Sequence, residues 1–462
     1  MERVRSNVPP RLDRLDWSRW HARVIVALGI TWILDGLEAS LVANLGPALE
    51  DPRTLGLRAA QVGLASSAYL VGQVAGALVF GRLTDSYGRK RLFLVTLGLY
   101  LGATAASGAA PSFAAFLVLR FFAGAGIGGE YSAINSAIDE LVPARLRGRV
   151  DLAINGSYWI GVGAGALLTL FLLDPARVPV ALGWRFAFGL GAVLGLVILF
   201  VRREVPESPR WLLLHGRVDE ADDTMTAIER AAGQGERERP APVELHVTGA
   251  ASLRRLVETL VRHKRRALLG VVLMLSQAFL YNAIFFSYGL VLHAFDGVAP
   301  DRVGLYMLPF ATGNFAGPLV LGRLFDHWGR RAMIPATYAI SGALLALTGV
   351  AFALGWLDAT TQTLSWCAVF FFASAAASSA YLTVSELFGV DVRGMVIAIF
   401  YSCGTLAGAA APLLFGRFVD SNDRWKLLEG YVIAAALMLA AAAVARVYGV
   451  ASEGRSLEEL SA

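Results

Sequence analysis

The sequence predicts an all-α membrane protein with twelve transmembrane helices arranged as two pseudo-symmetric six-helix bundles. Three observations carry that expectation. Of the 462 residues, 56% are hydrophobic and only 17% charged, too little polar surface for an ordinary soluble globule. The chain divides into twelve mostly apolar runs of the roughly 20 residues that a helix needs to cross a bilayer. And a short basic stretch, Gly81-Arg82-Leu83-Thr84-Asp85-Ser86-Tyr87-Gly88-Arg89-Lys90-Arg91, returns as Gly322-Arg323-Leu324-Phe325-Asp326-His327-Trp328-Gly329-Arg330-Arg331. Its glycines, its aspartate and the arginine after the second glycine keep a constant offset of 241 (322 − 81), which indicates two homologous halves.

The twelve spans are expected at 23–46, 60–81, 91–110, 113–140, 150–173, 184–203, 266–292, 302–324, 331–355, 362–387, 394–417 and 425–448. A charged arm (Arg3, Arg5, Arg11, Arg14, Arg19, Arg23) leads into the first, with Trp17 and Trp20 beside it as interfacial anchors, and no cleavable signal peptide is expected. The loops after spans two, four and eight are rich in arginine, whereas those after spans three and nine hold no Lys or Arg. Both termini are therefore expected on the cytoplasmic side of an inner or plasma membrane. Against that bias, the loop before span twelve carries Arg417, Arg424 and Lys426. The domain plan follows: a bundle with its arm over 1–203, a cytoplasmic linker with short helices over 204–264, a second bundle over 265–450 and a tail over 451–462.

Other echoes support the duplication. Glu140-Leu-Val-Pro-Ala-Arg-Leu-Arg147-Gly148 returns as Glu386-Leu-Phe-Gly-Val-Asp-Val-Arg393-Gly394, and Trp184-Arg185 as Trp425-Lys426. The net charge of +5 reflects topology rather than nucleic-acid binding, because the basic residues sit in loops. Cys367 and Cys403 lie inside apolar runs and are not expected to form a disulfide or a zinc site. The Gly124-x-Gly126-x-x-Gly129 run lacks the preceding strand that a dinucleotide site requires. Small residues there, and at Gly72-x-x-x-Gly76 and Gly161-x-x-x-Gly165, are expected to bring helix backbones together. There is no phosphate-binding loop for ATP, no metal-spaced histidine pair and no nucleophile motif, so neither a cofactor nor a catalytic residue is expected.

The duplicated loops, with Arg120-Phe-Phe-Ala-Gly-Ala-Gly-Ile-Gly-Gly129, Pro206-Glu-Ser-Pro-Arg-Trp-Leu-Leu and the tail Ser452-Glu-Gly-Arg-Ser-Leu-Glu-Glu459, resemble the sugar-porter-like branch of the major facilitator superfamily. Asp35-Gly36-Leu37-Glu38 is more similar to the aromatic-acid/proton symporters and to the synaptic-vesicle-glycoprotein-like transporters. The resemblance implies alternating-access transport of a small organic solute, coupled to protons, by a monomer in a lipid bilayer. An organic or aromatic acid is the favoured cargo, with a sugar or polyol as alternative. A non-transporting receptor on the same fold is the alternative of another class. Two positions depart from the family pattern, Gly389 for the usual proline and Ser276 for a usual glutamine.

Charges inside a bilayer cost at least about 2.5–3.5 kcal/mol at its centre. Asp35 and Glu38 share one helix face near mid-membrane, and Arg120 reaches a similar depth in span four. The resemblance implies that Asp35 pairs with Arg120 and takes up the proton, with Glu38 assisting. The alternative is a static ion pair pinning span one to span four. Glu130 belongs either to the transport path or to the cytoplasmic charge network. The resemblance places substrate contacts at Asn155, Gln277, Asn282 and Tyr381, and Asn314 is a further polar residue in an apolar run. Tyr281, Phe285, Phe286 and Tyr288 form an aromatic stripe read more readily as packing than as ligand contact. Asp85, Arg89, Glu140 and Arg147, with Asp326, Arg330, Glu386 and Arg393, are expected to latch the cytoplasmic gate in an outward-facing state.

Overall fold

A computed structural model describes residues 3–87, 89–141, 147–202, 207–234, 240–246, 253–388 and 390–449. In chain order the elements are β1 (Arg3–Ser6), α1 (Val8–Asp13), α2 (Arg19–Glu50), α3 (Ala59–Tyr87), α4 (Arg89–Gly108), α5 (Phe113–Leu141), α6 (Arg147–Leu172) and α7 (Val180–Arg202). Next come α8 (Pro209–Leu214), α9 (Val218–Ala231), β2 (Val243–His246) and α10 (Leu253–Arg262). The second half holds α11 (Lys264–Asp296), α12 (Val303–His327), α13 (Arg330–Ala353), α14 (Ala359–Leu387), α15 (Val390–Asp420) and α16 (Arg424–Tyr448). Each of the twelve expected spans falls on one long helix, α2 to α7 and α11 to α16. By length and composition alone, nine helices among the described residues can cross a bilayer, while α6 and α7 hold shorter apolar runs.

The basic stretch expected as a tight turn is mostly helix. Gly81 to Tyr87 continues α3, and Gly322 to His327 continues α12. In the later copy the chain reverses at the second glycine, where Gly329 adopts φ 79°, a conformation that side chains with a Cβ rarely take. Five helices, α2, α3, α11, α12 and α15, run three or more residues past the C-terminal ends of their expected spans.

Within each half, small residues let the backbones touch. A Cβ on Gly72 would lie 2.1 Å from the Phe121 carbonyl oxygen, and one on Gly124 would lie 1.9 Å from that of Tyr69, so α3 and α5 interlock from both sides. Gly36 and Gly161 do the same for α2 and α6, at 2.0 Å from Tyr158 O and 1.8 Å from Ile33 O. Apolar side chains gain little by leaving lipid for one another, so close backbone packing of this kind holds the helices together.

Among the described residues, the halves meet closely at the end away from the chain termini. There α3 crosses α15, with a Gly63 Cβ position 2.1 Å from Pro412 O and a Gly416 Cβ position 2.5 Å from Ala59 O. The Asp420 carboxylate accepts a hydrogen bond from the Ala60 N–H at 3.2 Å, at the start of α3. Gly304 approaches Ala166 O and Gly289 approaches Ala43 O, closing α12 on α6 and α11 on α2. This end is shut.

Two features depart from expectation. The spatial counterpart of Arg185 is Arg424, two residues before its sequence echo, Lys426. Arg185 donates to Gly108 O at 2.7 Å and Arg424 to Phe352 O at 3.1 Å, each sealing the end of an equivalent helix, α4 or α13. Trp184 is wholly buried whereas Trp425 is exposed. The arm and linker also form one small folded unit. β1 pairs antiparallel with β2, Arg3 opposite His246. Val8, Leu12 and Leu15 share a core with Trp211, Leu212, Leu213, Ala221, Met225 and Ile228, and this core rests on Val24, Ala27, Phe93 and Ile154 of the first bundle. Arg11, nearly fully buried, bonds Asp222, Thr226 at 3.0 Å and Glu229 at 2.7 Å. The arginines of the arm are thus more than topology signals.

Candidate functional site

Asp35 and Glu38 sit in α2 with side chains essentially inaccessible to solvent, as do Arg120 and Glu130 in α5. Their partners differ from the expected ones. Arg120 forms its ion pair with Glu38, not Asp35, and Thr104 Oγ1 donates to the same carboxylate from α4 at 2.8 Å. Asp35 accepts from the Tyr69 hydroxyl of α3 at 2.8 Å. Glu38, one helical turn beyond Asp35, is the one that reaches the arginine. The Arg120 guanidinium lies between the rings of Tyr69 and Phe188, 5.2 and 5.1 Å from their centroids, a geometry that stabilises a desolvated cation. Its Nε and Nη1 have no acceptor among the described residues. Glu130 lies on the same helix as Arg120 and is likewise buried.

Beside the cluster, a cavity of about 140 Å³ lies between the halves. Leu70 and Gln73 of α3 face Met274, Gln277, Ala278, Tyr281 and Asn282 of α11, and Tyr401, Gly404 and Thr405 of α15. Tyr69, the donor to Asp35, is next to Leu70 and one turn from Gln73, so the carboxylate lies one side chain behind the cavity wall. Asp35 also acts electrostatically on Tyr158 and on the lining residue Tyr401. Arg120, by contrast, is sealed inside the first bundle and does not line the cavity.

The expected substrate residues separate into groups. Gln277 and Asn282 line the cavity, Asn282 donating to Ala278 O at 2.8 Å. Asn314 does not line it. It is fully buried, accepts from the Tyr281 hydroxyl at 2.9 Å and donates to Phe310 O at 3.0 Å, so it positions Tyr281. Ser276, where a glutamine is usual, is turned back on its own helix toward Val272 O. The side chains of Asn155 and Tyr381 lie outside the described set. So do those of the gating residues Asp85, Arg89, Glu140, Arg147, Asp326, Glu386 and Arg393; Arg330 is described and is half-buried.

The aromatic stripe has a partner in the other half. Trp159 of α6 meets Tyr281 at 5.9 Å, and Phe285 and Phe310 at 6.4 Å. Tyr281 in turn stands edge-on to Phe370 at 5.1 Å. These rings bridge the two halves beside the cavity. Gln73, Trp159, Tyr401 and Thr405 escape sequence reasoning, although a lone glutamine and a lone threonine within apolar runs were visible signals.

Comparison with known proteins bears on the family and the fold. The family model described as "Sugar (and other) transporter" matches residues 39–462. The chain is 26% identical over 451 residues to the niacin transporter NiaP of Acinetobacter baylyi, covering 97% of this chain and 98% of that one. It is 28% identical over 429 residues to the probable plastidic glucose transporter 1 of Arabidopsis thaliana, covering 90% and 79%. The partially occluded, inward-open xylose transporter XylE from E. coli superposes with a TM-score of 0.74 at 18% identity, over 95% of this chain and 100% of that one. The chain belongs to the sugar (and other) transporter family of the major facilitator superfamily, and is a multi-pass membrane protein and secondary transporter.

Proposed function

We propose that this transporter moves a small organic acid together with a proton, and that Asp35 is the group that carries the proton. The observation that supports this reading is the placing of Asp35: buried, and accepting a hydrogen bond from the hydroxyl of Tyr69, the residue beside Leu70 of the cavity wall. Glu38 and Arg120 neutralise one another and tie α2 to α5, which positions the Asp35 face. A charge sealed in a membrane costs at least about 2.5–3.5 kcal/mol. Taking a proton on Asp35 removes that charge, so the loaded carrier passes through the occluded state more readily than a deprotonated one.

A cavity near 150 Å³ accepts a single six-membered ring, the size class of an aromatic monocarboxylate or a hexose. Niacin, named for one relative, is a pyridine carboxylic acid of that size. With Arg120 withdrawn from the cavity, a substrate carboxylate would be held by Gln277, Asn282, Thr405 and the Tyr401 hydroxyl. The same amides favour a sugar or polyol as the second reading. Asn155 and Tyr381 complete the binding set, and the paired loops with Asp85, Arg89, Glu140, Arg147, Asp326, Arg330, Glu386 and Arg393 latch the cytoplasmic gate. In this reading the chain is a monomer of an inner membrane, with bundles over 1–203 and 265–450, a linker over 204–264, and both termini in the cytoplasm.

Uptake into proteoliposomes under an imposed pH gradient tests the proposal, with separate panels of aromatic acids and sugars. The expected result is gradient-driven accumulation of acids by the native chain and none by Asp35→Asn. Accumulation that survives in Asp35→Asn would sink the proton role, and accumulation of sugars alone would sink the substrate class. Thermal stabilisation gives a second reading of cargo, because a ligand at 100 times its Kd adds about 2.7 kcal/mol.

A further inference from the structure

The helix α10 and the basic turn after it have no part in transport chemistry, yet their pattern is specific. Val257 and Val261 lie one helical turn apart and are 52% and 69% exposed. On the helical wheel they adjoin Leu260, which packs against the main core, while Glu258 and Arg262 fall on the opposite arc. An apolar stripe therefore runs from the protein interior out to two bare valines. Only His263 separates α10 from α11, the helix that enters the bilayer at Lys264. At 1.5 Å per residue, Val261 is about 5 Å from that point along the chain axis.

The charges at the turn from 262 to 266 are all positive. Arg262, Lys264 and Arg265 are exposed, and the sequence adds Arg254, Arg255 and Arg266. Arg265 rests 6.0 Å from the Tyr448 ring at the end of α16. Burial first, then the charges of Arg266 and Arg262, hold the His263 imidazole below its ordinary 6.5.

We infer that α10 is a strap lying on the bilayer surface, its valines set into the acyl boundary and its Arg262–Arg265 turn holding the phosphates of anionic phospholipids. Exposed valines beside a cationic turn, at the point where a helix enters lipid, match an interfacial helix in both its apolar and its charged component. An acidic protein segment would match the charges but not the two bare valines.

The test uses the full chain with Cys367 and Cys403 replaced, in nanodiscs of phosphatidylcholine with or without phosphatidylglycerol. An environment-sensitive dye on Val261→Cys should emit as in an apolar medium and be quenched by lipids brominated on their chains. The native chain should retain phosphatidylglycerol over phosphatidylcholine through purification, and Arg262→Gln/Lys264→Gln/Arg265→Gln should weaken that preference by roughly fivefold per charge, on the order of a hundredfold in all. Added salt should erode the preference, whereas free inorganic phosphate at equal ionic strength should not compete beyond that effect. A dye that emits as in water, or an unchanged lipid preference in the triple variant, would overturn the inference, as would phosphate displacing the lipid.

Discussion

The contact between Gly63 of α3 and the Pro412 carbonyl of α15 offers a direct handle on alternating access. A Cβ at residue 63 would lie 2.1 Å from that oxygen, and 3.4 Å marks the onset of ordinary contact. Gly63→Ala therefore demands that the two halves separate by about 1.3 Å at this end, or that the closed arrangement be abandoned. Both neighbours are backbone, so no side chain can swing aside. Overpacking of this kind costs about 1–3 kcal/mol, a population shift of roughly five- to a hundredfold at 1.4 kcal/mol per decade. Gly63→Leu should act in the same direction and further. The halves report their separation through spin labels on Arg53→Cys and Trp356→Cys, both exposed loop positions on opposite halves, in a chain without its native cysteines. The distance distribution should lengthen in Gly63→Ala and transport should slow. Gly98→Ala, with no heavy atom within 4 Å of the new Cβ, should leave both unchanged. Gly124→Ala, whose clash with Tyr69 lies within one half, should lower the melting temperature without lengthening the distance. If Gly63→Ala leaves distances and transport at native values, closure at this end does not depend on the α3–α15 contact, and the reasoning fails.

Three further outcomes follow from the site and the arm. Glu38→Gln and Arg120→Met should each cost about 3–5 kcal/mol of stability, since each strands a buried charge, and combining them should restore much of the loss; Asp35→Asn should melt near the native temperature, because Tyr69 keeps an oxygen to donate to, while losing proton-driven uptake. Asp420→Ala removes the anion at the start of α3 and should open the same end as Gly63→Ala by about 1 kcal/mol, or roughly fivefold in population, seen with the same labels. Burial raises the Glu229 carboxyl, but bonding and charge from Arg11 and Arg14 outweigh it and hold it below the usual 4.5. The arm's attachment through Glu229 should thus be complete above 4.5 and weaken as the pH falls below it, read as faster amide exchange in residues 3–14; release on raising the pH instead would contradict the sign.

What the sequence determined by itself is what depends on local composition and on repetition. Twelve spans are legible because the bilayer imposes one length on every crossing helix, and the duplication is legible because both copies keep the same turn residues. The depth of Asp35, Glu38 and Arg120 follows from counting residues along a helix of constant rise. Which carboxylate meets the arginine depends on how α2, α4 and α5 rotate about their own axes, and a spacing of three residues leaves both Asp35 and Glu38 on the correct face. Only packing decided this, bringing Glu38 to Arg120 and Thr104 while Asp35 accepts from Tyr69. The same holds for Asn314, a polar residue in an apolar run that supports Tyr281 instead of lining the cavity, and for Trp159, whose partners lie in the other half. The arm was legible as charge alone; that Arg11 sits buried between Asp222 and Glu229, over two hundred residues away in sequence, depends on a chain path that no local pattern encodes. Local pattern sets where a helix lies and how deep each residue sits, while the rotation and pairing of helices come from side-chain fit across long separations, which only the tertiary structure decides.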